Sequence, residues 1–311
     1  MTTHANELAV DVRGLRKQYG DVTAVDGIDL GIRRGEVFGL LGPNGAGKST
    51  TVEILQGNRG RDAGEVSVLG ADPATGTRAW RSRIGIVWQD ESAPAELTVD
   101  ETVRHFARYY PRPRDPEEVI GLVGLEAKAG SRIKALSGGQ RRRLDVALGV
   151  IGGPELLLLD EPTTGFDPAA RRRCWTAIRN LVALGTTVLL TTHYLDEAEE
   201  LADDIVVLAD GHILASGAPH ELADRDLAPT RIACQLLTDL TERDLPVLDG
   251  ATSLHRRRLT VTTRDPKRVV ARLLAWDEQG PARLTGLTVT PPSLEDIYLT
   301  LTATPAVEAA A

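Results

Sequence analysis

The sequence predicts an α/β protein in which a helical insert interrupts a parallel sheet, followed by a small α+β tail. Three stretches carry that prediction. Gly42-Pro43-Asn44-Gly45-Ala46-Gly47-Lys48-Ser49-Thr50 fits G-x-x-x-x-G-K-[ST] and lies between 36–41, which reads as a short buried strand, and a helix-like run, 51–55. That is the strand–loop–helix setting a phosphate-binding P-loop requires. Leu156-Leu157-Leu158-Leu159-Asp160-Glu161 reads as a buried parallel strand that delivers two carboxylates to its C-terminal edge. From Thr98 to about Ile151 the apolar period becomes helical, with Val99, Val103, Phe106 and Tyr110 at three- and four-residue steps.

Bulk properties narrow the class. A chain of 311 residues is long enough for two domains, and no apolar run approaches the ~18 residues of a membrane span. Residues 1–9 lack an apolar h-region and basic flanks, so the protein is expected to stay in the cytoplasm. Cys174 and Cys234 are its two cysteines and have no metal-like spacing. A net charge of −8 argues against a scaffold that binds nucleic acid through phosphate contacts. The arginine runs 141–143, 171–173 and 256–258 read as solvated faces.

In chain order, residues 8–12 alternate as a strand, and 23–32 form another with a turn at Asp26-Gly27. Tyr19 lies between them as either a hydrophobic plug or a platform for a nucleotide base. In the P-loop, glycines let backbone N–H groups turn towards phosphate oxygens, and the helix start adds its partial positive charge. Lys48 would reach the β- and γ-phosphates, and the Ser49 hydroxyl would ligate Mg²⁺. Residues 64–70 form a short strand, and 84–89 form another that places Gln89 at its exit, where α/β proteins put site residues. Prolines 111, 113 and 116 break the first helix of the insert, and a second covers about 116–123. Leu136-Ser137-Gly138-Gly139-Gln140 precedes a helix over 141–150; Ser137 is an N-cap, and the glycines expose amides in a second anion-binding arrangement. Asp160 can hold the Mg²⁺ shell, and Glu161 can orient or deprotonate an attacking water. A turn at 164–168 leads into a helix that runs to Leu184. The strand 186–190 then runs out at Thr191-Thr192-His193, and 205–208 with 213–215 closes a hairpin.

With the P-loop, LSGGQ and LLLLDEP in this order, beside a strand-exit glutamine and a strand-ending histidine, the chain resembles the ATP-binding cassette (ABC) ATPases over about residues 8–222. The resemblance implies an α/β P-loop NTPase core: a mixed sheet with a helical subdomain at about 98–151 and an antiparallel β subdomain. It also implies ATP and Mg²⁺ as ligands. By that likeness Tyr19 stacks on adenine, Gln89 senses Mg²⁺ and faces a permease, Asp167 lies in the D-loop, and His193 is the switch histidine. Ser137, Gly138, Gly139 and Gln140 would contact the γ-phosphate of ATP held by a second subunit. With one P-loop and one signature per chain, the working unit is expected to be a homodimer. Phe166 departs from the family's usual leucine, which is expected to alter dimer packing and leave the chemistry intact.

The tail, 223–311, shows strands at 231–237, 259–263 and 284–290 and a helix at 266–276, expected as a small accessory α+β domain. Its PPSLEDIYLTLT string resembles the ending of the drug-exporter subfamily that includes the daunorubicin-resistance ATPases; Ser293 and Asp296 also suit a capping-box variant. The resemblance implies the ATPase subunit of a bacterial exporter, peripheral on the cytoplasmic side of the plasma membrane and joined to a separately encoded permease, without nucleic acid. Two rivals are an importer ATPase and a non-transport ABC protein acting on ribosomes or DNA. A plain kinase or GTPase has no role for LSGGQ.

Overall fold

The computed structural model describes residues 8–88, 96–192, 194–224, 228–238, 240–241, 244–279, 284–292 and 296–298. Two units emerge, Met1–Ala218 and Pro219–Ala311. In the first, in chain order, are β1 (Leu8–Tyr19), β2 (Val22–Arg33), β3 (Val37–Leu41), α1 (Lys48–Leu55), β4 (Ala63–Val68), α2 (Arg78–Arg81) and β5 (Ile84–Val87). Then come α3 (Val99–Ala107), α4 (Pro116–Leu122), α5 (Gly138–Val150), β6 (Leu156–Asp160), α6 (Pro168–Ala183), β7 (Thr187–Thr192), α7 (Leu195–Leu201), β8 (Asp204–Ala209) and β9 (His212–Gly217).

Among the described residues, six strands form one sheet in the order β5-β6-β7-β3-β8-β9, parallel except for the β8–β9 pair. Every residue of β3 and β7 is buried, as are the four leucines of β6. Strands covered on both faces need near-continuous apolar runs, which β3 and β6 have, whereas β7 has Val188 to Leu190 flanked by buried threonines. A separate antiparallel sheet, β2-β1-β4, pairs the long N-terminal strands. β1 extends to Tyr19, past the alternating stretch 8–12, because β2 and β4 flank it and supply partners for polar residues such as Arg16.

The expected turn at Asp26-Gly27 is absent: β2 runs through it. Leu15 pairs with Ile28 and Arg16 with Asp26, so Gly27, at φ +70°, is the extra residue of a bulge. The chain reverses instead through Gly20 and Asp21, beside the Tyr19–Val22 pair.

In the insert, Thr98 and Glu101 close a reciprocal capping box on α3. That helix stops at Ala107, short of Tyr110. Residues 108–110 continue as turns, and Pro111 disfavours helical geometry at the residue before it. Asp115 caps α4, with Pro116 at its first position.

The N-terminal ends of β5 and β6 are tied together by Glu155, whose carboxylate accepts from Arg83 Nε at 2.6 Å and from Arg34 Nη1 at 3.0 Å. Arg83, then Arg34, holds the Glu155 carboxyl down at about 2. The Arg61 fork and the Ala74 N–H hold Asp72 at about 2 as well. Both folded values lie below the unfolded ones, so this stability is present above about pH 4.5 and is lost as pH falls towards about 2. Both carboxylates are over a third exposed, so each is worth no more than about 1 kcal/mol. Glu155→Gln combined with Asp72→Asn is expected to flatten the acid limb of the stability curve, read by urea titration at a series of acid pH values. An unchanged acid limb would remove both groups from that role.

The second unit contains α8 (Pro219–Asp224), β10 (Thr230–Leu236), β11 (Ala251–His255), β12 (Arg258–Thr263), α9 (Pro266–Gln279) and β13 (Leu284–Thr290). Its antiparallel sheet has the order β11-β12-β10-β13, and its core joins Ile232, Cys234, Leu259 and Val261 to Val269 and Leu273 of α9. Asp265 accepts from the Arg268 N–H at the start of α9, with Pro266 in the first turn. Ser293, needed for the expected cap at the PPSLEDIYL string, lies outside the described residues; Ile297 in that string is buried.

Candidate functional site

The loop after β3 is braced on two sides. A Cβ on Gly47, at φ +102°, would come 2.3 Å from the Ala24 carbonyl oxygen of β2, so only glycine fits there. The Asp26 N–H donates to Gly211 O at 2.9 Å, and the Gly211 N–H donates to Ala46 O at 3.3 Å. The bulge in β2 and the β8–β9 turn thus hold the loop's back. Thr51 Oγ1 donates to Gly47 O at 2.9 Å and fastens the first turn of α1.

A cavity of about 350 Å³ opens in front of this loop. Asn44, Gly45, Gly47, Lys48, Ser49 and Thr50 line it from one side, Asp160 and Glu161 from another, and Tyr19 with Ala24 completes it. Gly42, Pro43 and Ala46 form the loop behind them; a Cβ on Gly42 would come 2.4 Å from Leu208 O. Lys48 is 7% exposed, and its ammonium donates to the carbonyls of Gly42 at 2.8 Å and Pro43 at 3.0 Å. Burial pushes its pKa down, and the Glu161 and Asp160 carboxylates pull it back up. Tyr19 is half-exposed and lines the cavity rather than plugging the core, with Arg59 Cζ 5.1 Å and Lys17 Nζ 5.5 Å from its ring centroid.

The two carboxylates are held differently. Asp160 accepts through Oδ1 from the Thr191 hydroxyl at the end of β7. Glu161 adopts φ +48°, a left-handed conformation costing a residue with a side chain about 1–3 kcal/mol. Its N–H donates to Thr191 O at 3.0 Å, and Thr164 Oγ1 donates to its Oε2 at 3.2 Å.

These residues suit a magnesium nucleotide. Gly45 leaves open space where a Cβ would stand, and the cation Lys48 and the hydroxyl residue Ser49 line the same cavity as the two carboxylates. No cluster of three or more metal-ligating side chains occurs among the described residues. Mg²⁺ does not need one, since it takes one or two protein oxygens plus phosphate and water. Ser49 and Asp160 face one cavity and can supply that pair.

Ser137, Gly138, Gly139 and Gln140 are not part of this cavity's lining. Ser137 Oγ accepts from the Gln140 N–H at 3.3 Å, and Gln140 Oε1 accepts from the Ser137 N–H at 3.0 Å, a reciprocal cap at the start of α5. Phe166 is buried in the core that backs this loop; a Cβ on Gly139 would lie 3.7 Å from its ring. Asp167 caps α6, accepting from the Ala170 N–H at 2.8 Å. Gln89 and His193 lie outside the described residues.

Two side chains at the site went unrecognised in the sequence. Thr191 was legible only as part of a strand exit. Arg142 corrects the expectation that residues 141–143 form a solvated face: it is 9% exposed and donates to main-chain carbonyls. The signal was its spacing, since Arg142, Val146 and Val150 fall on one buried stripe of α5. Arg143 is half-buried and donates to Val123 O and Gly124 O. The run 256–258 is exposed, as expected.

A mixed sheet that presents a P-loop and two strand-end carboxylates to one cavity defines a P-loop nucleoside triphosphatase. Residues 25–164 match the family described as ABC transporter, and residues 230–293 match an ABC transporter domain-containing protein-like C-terminal domain. The chain is 40% identical over 306 residues to a Nod factor export ATP-binding protein I of Ralstonia nicotianae, covering 94% of this chain and 93% of that one. It is 41% identical to the protein so named in Rhizobium meliloti, covering 95% and 88%. A solved ATP-binding subunit of an ABC transporter superposes with a TM-score of 0.63 at 27% identity, covering 70% of this chain and 92% of that one. A dimeric cassette with bound ADP and Pi superposes at 0.60 with 25% identity, covering 67% and 98%. The chain belongs to the ABC transporter family. It is an ATP-binding, ATP-hydrolysing subunit of exporter type. Among the described residues, no helix is long and apolar enough to cross a membrane.

Proposed function

We propose that this chain is the Mg²⁺-dependent ATPase subunit of a bacterial exporter. It works as a homodimer at the cytoplasmic face of the plasma membrane and drives a separately encoded permease. The observation that carries the dimer is the position of Ser137 and Gly138, exposed at a helix start and outside their own chain's cavity. A second anion-binding loop so placed becomes useful when a partner's nucleotide reaches it. Near full-length similarity to export proteins supports the direction. The PPSLEDIYL ending supports a drug, antibiotic or other small hydrophobic compound as cargo.

In this reading the P-loop amides and Lys48 bind the phosphates, and Tyr19 stacks on the base. Ser49, Asp160 and Gln89 would hold Mg²⁺, which would supply charge neutralisation on the transferring phosphoryl group. Glu161 orients and deprotonates the water, His193 contacts the γ-phosphate, and Ser137 to Gln140 with Asp167 close the partner's site. Beside the exit of β5 a second cavity, about 340 Å³, is lined by Ile86, Trp88, Phe106, Tyr110 and Leu148. Arg81 and Asp145 also line it, and this mix of aromatic, aliphatic and charged side chains suits a short amphipathic helix of the permease.

Affinity purification of the Glu161→Gln protein from detergent-solubilised native membranes, with ATP and Mg²⁺, tests the assignment. A stoichiometric polytopic membrane protein, identified by mass spectrometry, is the expected companion. Recovery with ribosomes or other non-membrane factors alone would overturn it.

A further inference from the structure

The exits of β5 and β6 lead to Gln89 and to Glu161, and one side chain grips both. Arg142 lies five residues beyond the Ser137 cap, on the buried stripe of α5. Its Nη1 donates to Trp88 O, the last described residue before Gln89. Its Nη2 donates to Asp160 O at 2.5 Å and Glu161 O at 3.3 Å, and its Nε donates to Pro162 O at 3.4 Å. Arginine suits this nest because its planar fork presents five N–H groups in fixed directions; a lysine ammonium presents three from a single point. The opposite ends of these strands are already pinned by Arg83 and Glu155.

We infer that Arg142 is a positioning residue for ATP hydrolysis, fastening the catalytic turn at 160–162 and the exit of β5 to the helix that begins at the Ser137 loop. The left-handed Glu161 persists only where its surroundings over-determine it. The Arg142 fork supplies part of that constraint, beside the pairing with Thr191 and the contacts with Thr164. A shift of α5 is thereby delivered to the turn that carries Glu161 and to Trp88 together. This inference rests on the proposed role of Glu161, so one measurement is chosen that does not depend on that role.

The experiment is hydrogen exchange of the nucleotide-free protein, read by mass spectrometry, for wild type, Arg142→Met, Arg142→Lys and Glu161→Gln. Arg142→Met is expected to speed exchange about tenfold in peptides covering both 84–88 and 156–164, with the P-loop peptide unchanged. Arg142→Lys should fall between Arg142→Met and wild type, and Glu161→Gln should exchange like wild type. In steady-state kinetics Arg142→Met should lower kcat at least about tenfold with KM for ATP within about twofold. If Arg142→Met does not fold, Arg142→Lys is read by the same pattern. Protection unchanged at either exit, loosening spread evenly through the first unit, or a wild-type kcat overturns the inference. Exchange that behaves as expected while Glu161→Gln retains turnover would displace Glu161 as base and leave the fastening role standing.

Discussion

Glu161→Gln is expected to bind ATP with wild-type affinity and to hydrolyse it at least about a hundredfold more slowly. The amide keeps the length and shape of the side chain and can still accept from Thr164 Oγ1, so the turn at β6 is undisturbed. What it loses is the ability to take a proton from water. With hydrolysis blocked, the closed state should persist, and light scattering with ATP and Mg²⁺ should report a dimer. Wild-type turnover would remove Glu161 as the base. A variant that remains strictly monomeric in ATP would count against the composite site.

Lys48→Ala is expected to weaken ATP binding by about 10- to 100-fold, the worth of a charge-assisted hydrogen bond to phosphate. The fold should tolerate the change. The ammonium is desolvated and satisfied by two carbonyls of its own loop, and removing it leaves those carbonyls beside a cavity that water can enter. Titration calorimetry against ATP, with thermal unfolding as the control, separates the two effects. Undiminished affinity in a folded variant would show that the loop amides alone hold the phosphates.

Much of this architecture could be read directly because its causes are local. β3, β6 and β7 are buried, so each has an apolar centre: VFGLL in β3, four leucines in β6 and Val188 to Leu190 in β7. The P-loop and the β6 carboxylates each sit at the end of such a strand, and the parallel register places both exits on one edge of the sheet. What escaped depends on neighbours distant in sequence. Gly27 reads as a turn because Asp-Gly favours one, but pairing with β1 on both sides turns it into a bulge. β11, Ala251–His255, is mostly exposed and polar, and becomes a strand through its register with β12. Arg142 sits in a run of three arginines, and its spacing with Val146 and Val150 is the one local sign that it turns inward; the carbonyls that receive it, at the exits of β5 and β6, are distant in sequence.

The backward-bent conformation of Glu161 sets stability against activity at one position. Asparagine tolerates left-handed geometry better than glutamate, and glycine removes the Cβ clash, so either would relieve part of about 1–3 kcal/mol. Neither side chain can serve as a base. If Glu161 is the base as proposed, a single substitution there would yield a sturdier, silent protein, so the strain at residue 161 is the cost of placing an acid at the end of β6.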